Sequence, residues 1–259
     1  MTSNSDNPLN MVTDPFAGNK FVLPPTQCSE QRKSFFTRFN EIIGFLYISS
    51  DALTKYKTNY EVNIIPNLPT KSDNPMKFSL NSGECIITTP KRIIEITKNG
   101  VNILTRQLFV MCYGSFETYL YQLFGRSFQI IGIKDEEEIF NKSRDILMLK
   151  KWDGKFCSMN EVFDIGYKAG ELNKYFSNFN MHFEAKKYNN PLNFLDELAQ
   201  VRHRIVHASS ILEKDKMIFI DMKMFNGLLG FFFRLTDYVD SLFAKKFGYT
   251  QQKIDPAKA

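Results

Sequence analysis

Hydrophobic residues recur at helical spacing through most of this chain. From Glu30 to Tyr56, Phe35, Phe39, Ile42, Ile43 and Leu46 fall three and four residues apart, which predicts an amphipathic helix. Lys57 to Pro90 breaks that pattern. "IIPNLPTKSDNPM" is rich in helix breakers and "ECIITT" is a short β-branched run, so a long connection with a small hairpin is expected. "RIIEITKNGV" fits two patterns, and the turn signal Asn99–Gly100 favours strand and turn over helix. From Val101 to Phe124 the chain is apolar on most sides, as in a central buried helix, and Gly125 is its expected stop.

The second half is more regular. "KDEEEIFNKSRDILMLKKW" opens with acids and closes with lysines, as the helix dipole favours. Ser158 and Glu161 stand in capping-box spacing before "VFDIGYKAGELNKYFSNF". Pro191 suits the first turn of "NNPLNFLDELAQVRHRIVH". "KMIFI" reads as extended, and a last helix spans about Asp221 to Phe247 with Phe225, Leu229, Phe232, Leu235, Val239, Leu242 and Phe243 facing inward. The expected fold is mostly all-α, with a flexible arm over 1–28, a helix and irregular connection over 29–100, a helical domain over 101–247 and a flexible tail over 248–259.

Composition narrows this picture without redirecting it. The 259 residues, 43% hydrophobic, suffice for a sizeable core. A net charge of +5 permits an RNA or phosphate partner without demanding one. Cys28, Cys85, Cys112 and Cys157 form no paired motif, which points to free thiols in a reducing compartment. The polar start lacks a signal-peptide core, and "GLLGFFF" is too short to span a bilayer, so no membrane contact and a cytoplasmic location are expected.

Candidate chemistry concentrates in "AQVRHRIVHASS", Ala199 to Ser210, which holds two of the chain's three histidines. On a helical wheel Phe194, Leu195, Leu198, Val201, Ile205 and Val206 form one apolar stripe. Arg202 lies inside that stripe, where a guanidinium must find partners because an unpaired buried charge is costly. Two readings compete for it: a structural ion pair with Asp237 or Asp240, or an anion site whose planar fork grips a phosphate. His207 lies about 140° around the wheel from Arg202. The two converge only if the helix ends there or a ligand or second subunit spans them. His207 suits proton transfer near neutral pH, or, more plainly, complements the helix dipole. His203 and His207 at i and i+4 could also hold zinc, but no third ligand with fitting spacing is evident, so no metal or other cofactor is expected. His182 reads as a surface residue of a polar loop.

Arg202 followed directly by His203 and, after three intervening residues, by His207, at the end of an apolar helix and before a loop and a long closing helix, resembles the R-x4-6-H signature of the HEPN superfamily. The resemblance covers roughly Val101 to Phe247, including "YGSFETYLYQLF", which looks like the family's early amphipathic helix with an acidic residue at Glu117. It implies a metal-independent endoribonuclease of the toxin or phage-defence type. His207 would then transfer a proton and Arg202 would stabilise the charged phosphate, with His203, Arg204 and Glu117 supporting them. One histidine cannot serve both sides of an in-line displacement, so the resemblance also implies a homodimer, RNA as substrate, and an antitoxin or defence-system partner. The alternative it leaves open is a non-catalytic nucleotide-binding, RNA-binding or scaffold protein of the same fold.

Overall fold

The computed structural model describes residues 28–59, 75–79, 85–177, 179–183, 186–207 and 218–248. Most of the expected arm, the tail, much of the connection after residue 59 and the "ASS" that follows His207 lie outside the described residues. The fold is mostly α. Among the described residues there are helices α1 (Glu30–Asn59), α2 (Pro90–Ile130), α3 (Glu136–Leu147), α4 (Trp152–Phe163), α5 (Ala169–Tyr175), α6 (Pro191–His207) and α7 (Met222–Phe247). Two antiparallel hairpins complete it, β1 (Met76–Ser79) with β2 (Cys85–Thr88), and β3 (Met181–Phe183) with β4 (Lys186–Tyr188). The first hairpin falls where one was expected. His182 stands exposed on β3, in a strand and not a loop.

α2 is the axis of the molecule. Its 41 residues extend about 60 Å at 1.5 Å per residue, and α1, α3, α6 and α7 all pack on it. Two expected interruptions are absent. The helix starts at Pro90 and passes through Asn99–Gly100, so the expected strand and turn do not form, and the division drawn at residue 101 falls inside α2. α1 explains this. A Cβ on Gly100 would lie 3.4 Å from Leu53 Cδ2, so the glycine lets the two helices approach closely. The helix also continues through Gly125, which packs beneath Ile139 of α3. The chain turns at Gly132, with φ +100°, and the Ile133 N–H closes on the Phe128 carbonyl at 3.0 Å, a glycine-type helix stop seven residues later than expected.

The other boundaries follow local chemistry. Asp135 caps α3 by accepting from the Glu138 N–H at 2.7 Å, and Asp221 caps α7 through the Met224 N–H at 2.7 Å. Asn190 accepts from the Leu192 N–H at 2.8 Å, with Pro191 in the first turn of α6 as expected. α4 differs from expectation: it begins at Trp152, so Ser158 sits in its interior and caps nothing. It ends at Asp164 in the left-handed region, and α5 is a separate short helix.

The core is aromatic and continuous. Phe35 and Phe39 of α1, Phe116, Tyr119 and Phe124 of α2, Trp152 and Phe156 of α4, and Phe232, Phe233 and Phe243 of α7 are all buried in one cluster. The seven α7 positions expected to face inward are buried, and so are Phe231 and Phe233 between them. No helix among the described residues is long and apolar enough to cross a membrane.

Candidate functional site at the junction of α2, α4 and α6

α6 buries Phe194, Leu195, Leu198 and Val201, while Ile205 is half-buried. Val206, expected in the same stripe, is exposed. Arg202 leaves the apolar face toward α2. Its Nη2 stands 3.7 Å from Oε2 of Glu117, and its side chain is 39% exposed. Its Nε is buried with no hydrogen-bond partner among the described residues. The ion-pair partners expected for Arg202 are engaged elsewhere. Asp237 takes Arg32 of α1 and the Tyr175 hydroxyl, and Asp240 accepts from the Ser29 N–H and hydroxyl and from Tyr119.

Beneath the Arg202–Glu117 pair lie groups that sequence reading did not single out. Lys155 is buried, donates from Nζ to the Leu147 carbonyl at the end of α3, and sits 4.5 Å over the Trp152 ring. That places an ammonium where the α3 carbonyls converge, the favourable end of a helix dipole. Asp196 of α6 accepts the Trp152 N–H at 2.9 Å, capping α4 from a different helix, and meets Lys151 at 3.3 Å. Lys155 was legible by the rule that found Arg202. Trp152, Phe156, Met159 and Phe163 form the buried stripe of α4, and Lys155 interrupts it.

The electrostatics follow from this packing. Burial pushes the Glu117 carboxyl above its ordinary range, and Arg202 and Lys155 pull it back without cancelling the shift. Burial lowers the Lys155 ammonium, opposed by Glu117 and Asp196. The Tyr113 phenol, buried one helical turn before Glu117, is pushed well up by burial, with Glu117 adding to the effect. The cluster therefore holds opposite charges in a partly dry setting, with the Arg202 fork at its open edge.

His203 and His207 are both exposed, and their rings lie 4.3 Å apart between centroids. α6 stays helical to His207, so the two imidazoles form a pair on one helix face, about 140° of rotation from Arg202 for His207. Arg204 lies on another side, 3.3 Å from Glu197, which also accepts from the Tyr188 hydroxyl at 2.7 Å and meets Lys186 at 3.6 Å. The structure thus joins Arg202 to Glu117 and His203 to His207, ties Arg204 to Glu197, and leaves the Arg202 fork and the His207 ring on different sides of one helix. No group of three metal-binding side chains occurs among the described residues.

This arrangement offers a guanidinium with donors to spare, a carboxylate that orients it, and two adjacent imidazoles able to move protons. No protein-family model, curated protein or solved structure matches this chain.

Proposed function

We propose that the chain is a metal-independent endoribonuclease acting as a symmetric pair in the cytoplasm, in a toxin or phage-defence role. The observation that carries this reading is the state of Arg202: oriented by Glu117 from a neighbouring helix, yet with its fork partly open and its 3.7 Å contact too long for a hydrogen bond. Such a guanidinium can grip a phosphate in two places as charge develops on its oxygens. His207 supplies proton transfer, with His203 beside it and Arg204 near the end of the same helix. In the reaction a 2′-hydroxyl gives up its proton and attacks the adjacent phosphorus. The 5′-oxygen leaves and takes a proton, and a 2′,3′-cyclic phosphate remains. One His207 serves one side of that displacement, and the His207 of a second copy serves the other. The pairing also removes the separation between Arg202 and His207 within one chain, because each site then draws on both subunits.

Purified wild type, Arg202→Ala and His207→Ala, incubated with total RNA in EDTA, separate the possibilities. The wild type is expected to cleave and to leave cyclic phosphate ends, and both variants are expected to fail. Equal inactivity of all three proteins, or activity that EDTA abolishes, overturns the reading. The Glu117 contact also supports a second reading, an RNA-binding or nucleotide-binding protein without cleavage. Tight binding by a wild type that leaves the RNA intact would establish it.

A further inference from the structure

Next to the Arg202–Glu117 pair is an aromatic stack with one ring open to solvent: Tyr121 is half-buried against the core, and Phe140 lies exposed beside it. Tyr121 of α2 and Phe140 of α3 lie nearly parallel, 14° apart, with ring centroids at 6.1 Å. The Arg144 guanidinium stands 5.9 Å from the Phe140 centroid, within cation–π range. Phe140 is 54% exposed and Arg144 is exposed, so more than half of the Phe140 surface faces solvent.

The position of this stack matters more than its composition. Tyr121 follows Glu117 by one turn of α2, about 6 Å along the axis. α3 doubles back along α2 after the turn at Gly132: Ile139 covers Gly125, and the far end of α3, at Leu147, reaches Lys155 beside Glu117. Progress along α3 is therefore progress toward the Arg202 site. The acidic start of the helix, Glu136 to Glu138, lies at the distant end, and Arg144 lies on the turn nearest Glu117. The hydroxyl of Tyr121 is raised by burial and by Glu117 and lowered by Arg144, so it lies within the field of both groups. Tyr121 and Glu117 thus lie one turn apart on α2, with Phe140 and Arg144 at the Tyr121 end and Arg202 at the Glu117 end.

We infer that Tyr121, Phe140 and Arg144 form a stacking subsite for an unpaired base of single-stranded RNA, adjacent to the phosphate held by Arg202; this rests on the ribonuclease reading. A base has a π-face for the open side of Phe140, and Arg144 answers the charge of the neighbouring phosphate. A duplex offers Arg144 the same phosphate charge but no open base face for Phe140, because its bases already stack on one another. The subsite would select unpaired segments of structured RNA without reading their sequence.

Anisotropy of a fluorescein-labelled 2′-O-methyl RNA strand, which cannot be cleaved by 2′-hydroxyl attack, tests this on the full chain. Phe140→Ala is expected to weaken single-strand binding about tenfold, the usual range for removing one base-stacking aromatic. Phe140→Trp should restore it, and the same sequence as a duplex should bind Phe140→Ala and wild type equally. Arg144→Gln should weaken binding and flatten its salt dependence. Unchanged single-strand affinity in Phe140→Ala, with total-RNA cleavage intact, overturns the subsite and leaves the ribonuclease reading standing. Equal losses for single strand and duplex also overturn it. A wild type that binds no RNA removes both proposals. A shift of Phe140→Ala from dimer to monomer in sedimentation, with RNA affinity unchanged, assigns the stack to a subunit contact and overturns the subsite.

Discussion

Arg32 and Arg202 each reach from one helix to a carboxylate on another, and they end in opposite conditions. Arg32 bonds Asp237 directly, lies 5.4 Å from the Phe36 ring, and has a side chain only 7% exposed. Asp237 is held in turn by Tyr175, and Asp240, one turn along α7, is held by Ser29 and Tyr119. Arg202 faces a single carboxylate at 3.7 Å and keeps its fork at the surface. Both arginines bury an Nε without a described partner, so the difference lies at the fork. A fork that is paired and covered fastens helices together. A fork that is oriented but not consumed remains available to a ligand. The chain thus separates its structural arginine, at the α1–α7 seam, from its candidate functional one.

The largest predicted effect tests the functional half of that contrast. His207→Ala should lower RNA cleavage roughly 10³-fold, as loss of a positioned proton-transfer group does. Because His207 is exposed, urea unfolding should shift by no more than about 0.5 kcal/mol. Arg202→Ala should act alike, losing roughly 10²-fold or more in rate. A large stability loss in Arg202→Ala, with residual activity in the folded fraction, would move Arg202 into the same class as Arg32.

The structural half predicts the reverse. Asp240→Ala removes the acceptor for the Ser29 N–H and hydroxyl and for Tyr119, all in buried surroundings. It should cost about 3 kcal/mol in unfolding free energy, because buried donors are left unmet. Cleavage per folded molecule should match the wild type. A rate loss in Asp240→Ala without destabilisation would collapse the distinction between the two regions.

Glu117 gives the comparison a pH axis. Its folded pKa lies above the ordinary 4.5, because burial outweighs Arg202 and Lys155. Over the window between those values the folded state keeps a proton that the unfolded chain has lost. The Glu117 contribution to stability therefore falls as pH rises through that window. Glu117→Gln lacks this titration, so the wild type should gain stability relative to the variant when pH drops from neutral toward 4.5. Urea midpoints of both proteins at several pH values check the sign. A gap that widens the other way would mean that the ion pair with Arg202 dominates and that Arg202 is consumed by it.

What the sequence made legible, and what it hid, follows the range of the interactions. α1, α3, α6 and α7 were readable because periodicity, the acidic start of α3 and Pro191 in the first turn of α6 act within a turn or two. The continuity of α2 was not, because Leu53 of α1 lies against Gly100 and Ile139 of α3 covers Gly125; neither neighbour is near in sequence. The start of α4 was missed for the same reason, since its first N–H is met by Asp196, 44 residues away. At the site, a wheel alone marked Arg202 as a charge in apolar territory. The ion-pair reading, one of two left open, looked to Asp237 or Asp240 of α7, whereas the carboxylate beside Arg202 is Glu117 of α2, because which helix lies opposite is decided by packing order. The His203–His207 neighbourhood is an i, i+4 relation and needed only a helix to be visible.

The smallest predicted effect concerns Arg204, which lies between these two arginines in character. It is well exposed and contacts Glu197 at 3.3 Å, but Glu197 is itself mostly buried and has two further partners in Lys186 and the Tyr188 hydroxyl. Removing Arg204 therefore leaves no bare carboxylate, and Arg204→Ala should cost only about 0.2–1 kcal/mol in unfolding free energy, the range for exposed ion pairs. Its effect on RNA should be electrostatic. Losing one phosphate-facing cation should reduce the salt slope of binding by about one and weaken affinity alike for different sequences. Affinity measured across a salt series makes the distinction. A reduced slope with unchanged stability places Arg204 beside Arg202 as an RNA-facing charge. An unchanged slope with a stability loss above 1 kcal/mol places it with Arg32 as a structural charge, bracing within α6 the Glu197 carboxylate that β4 also holds.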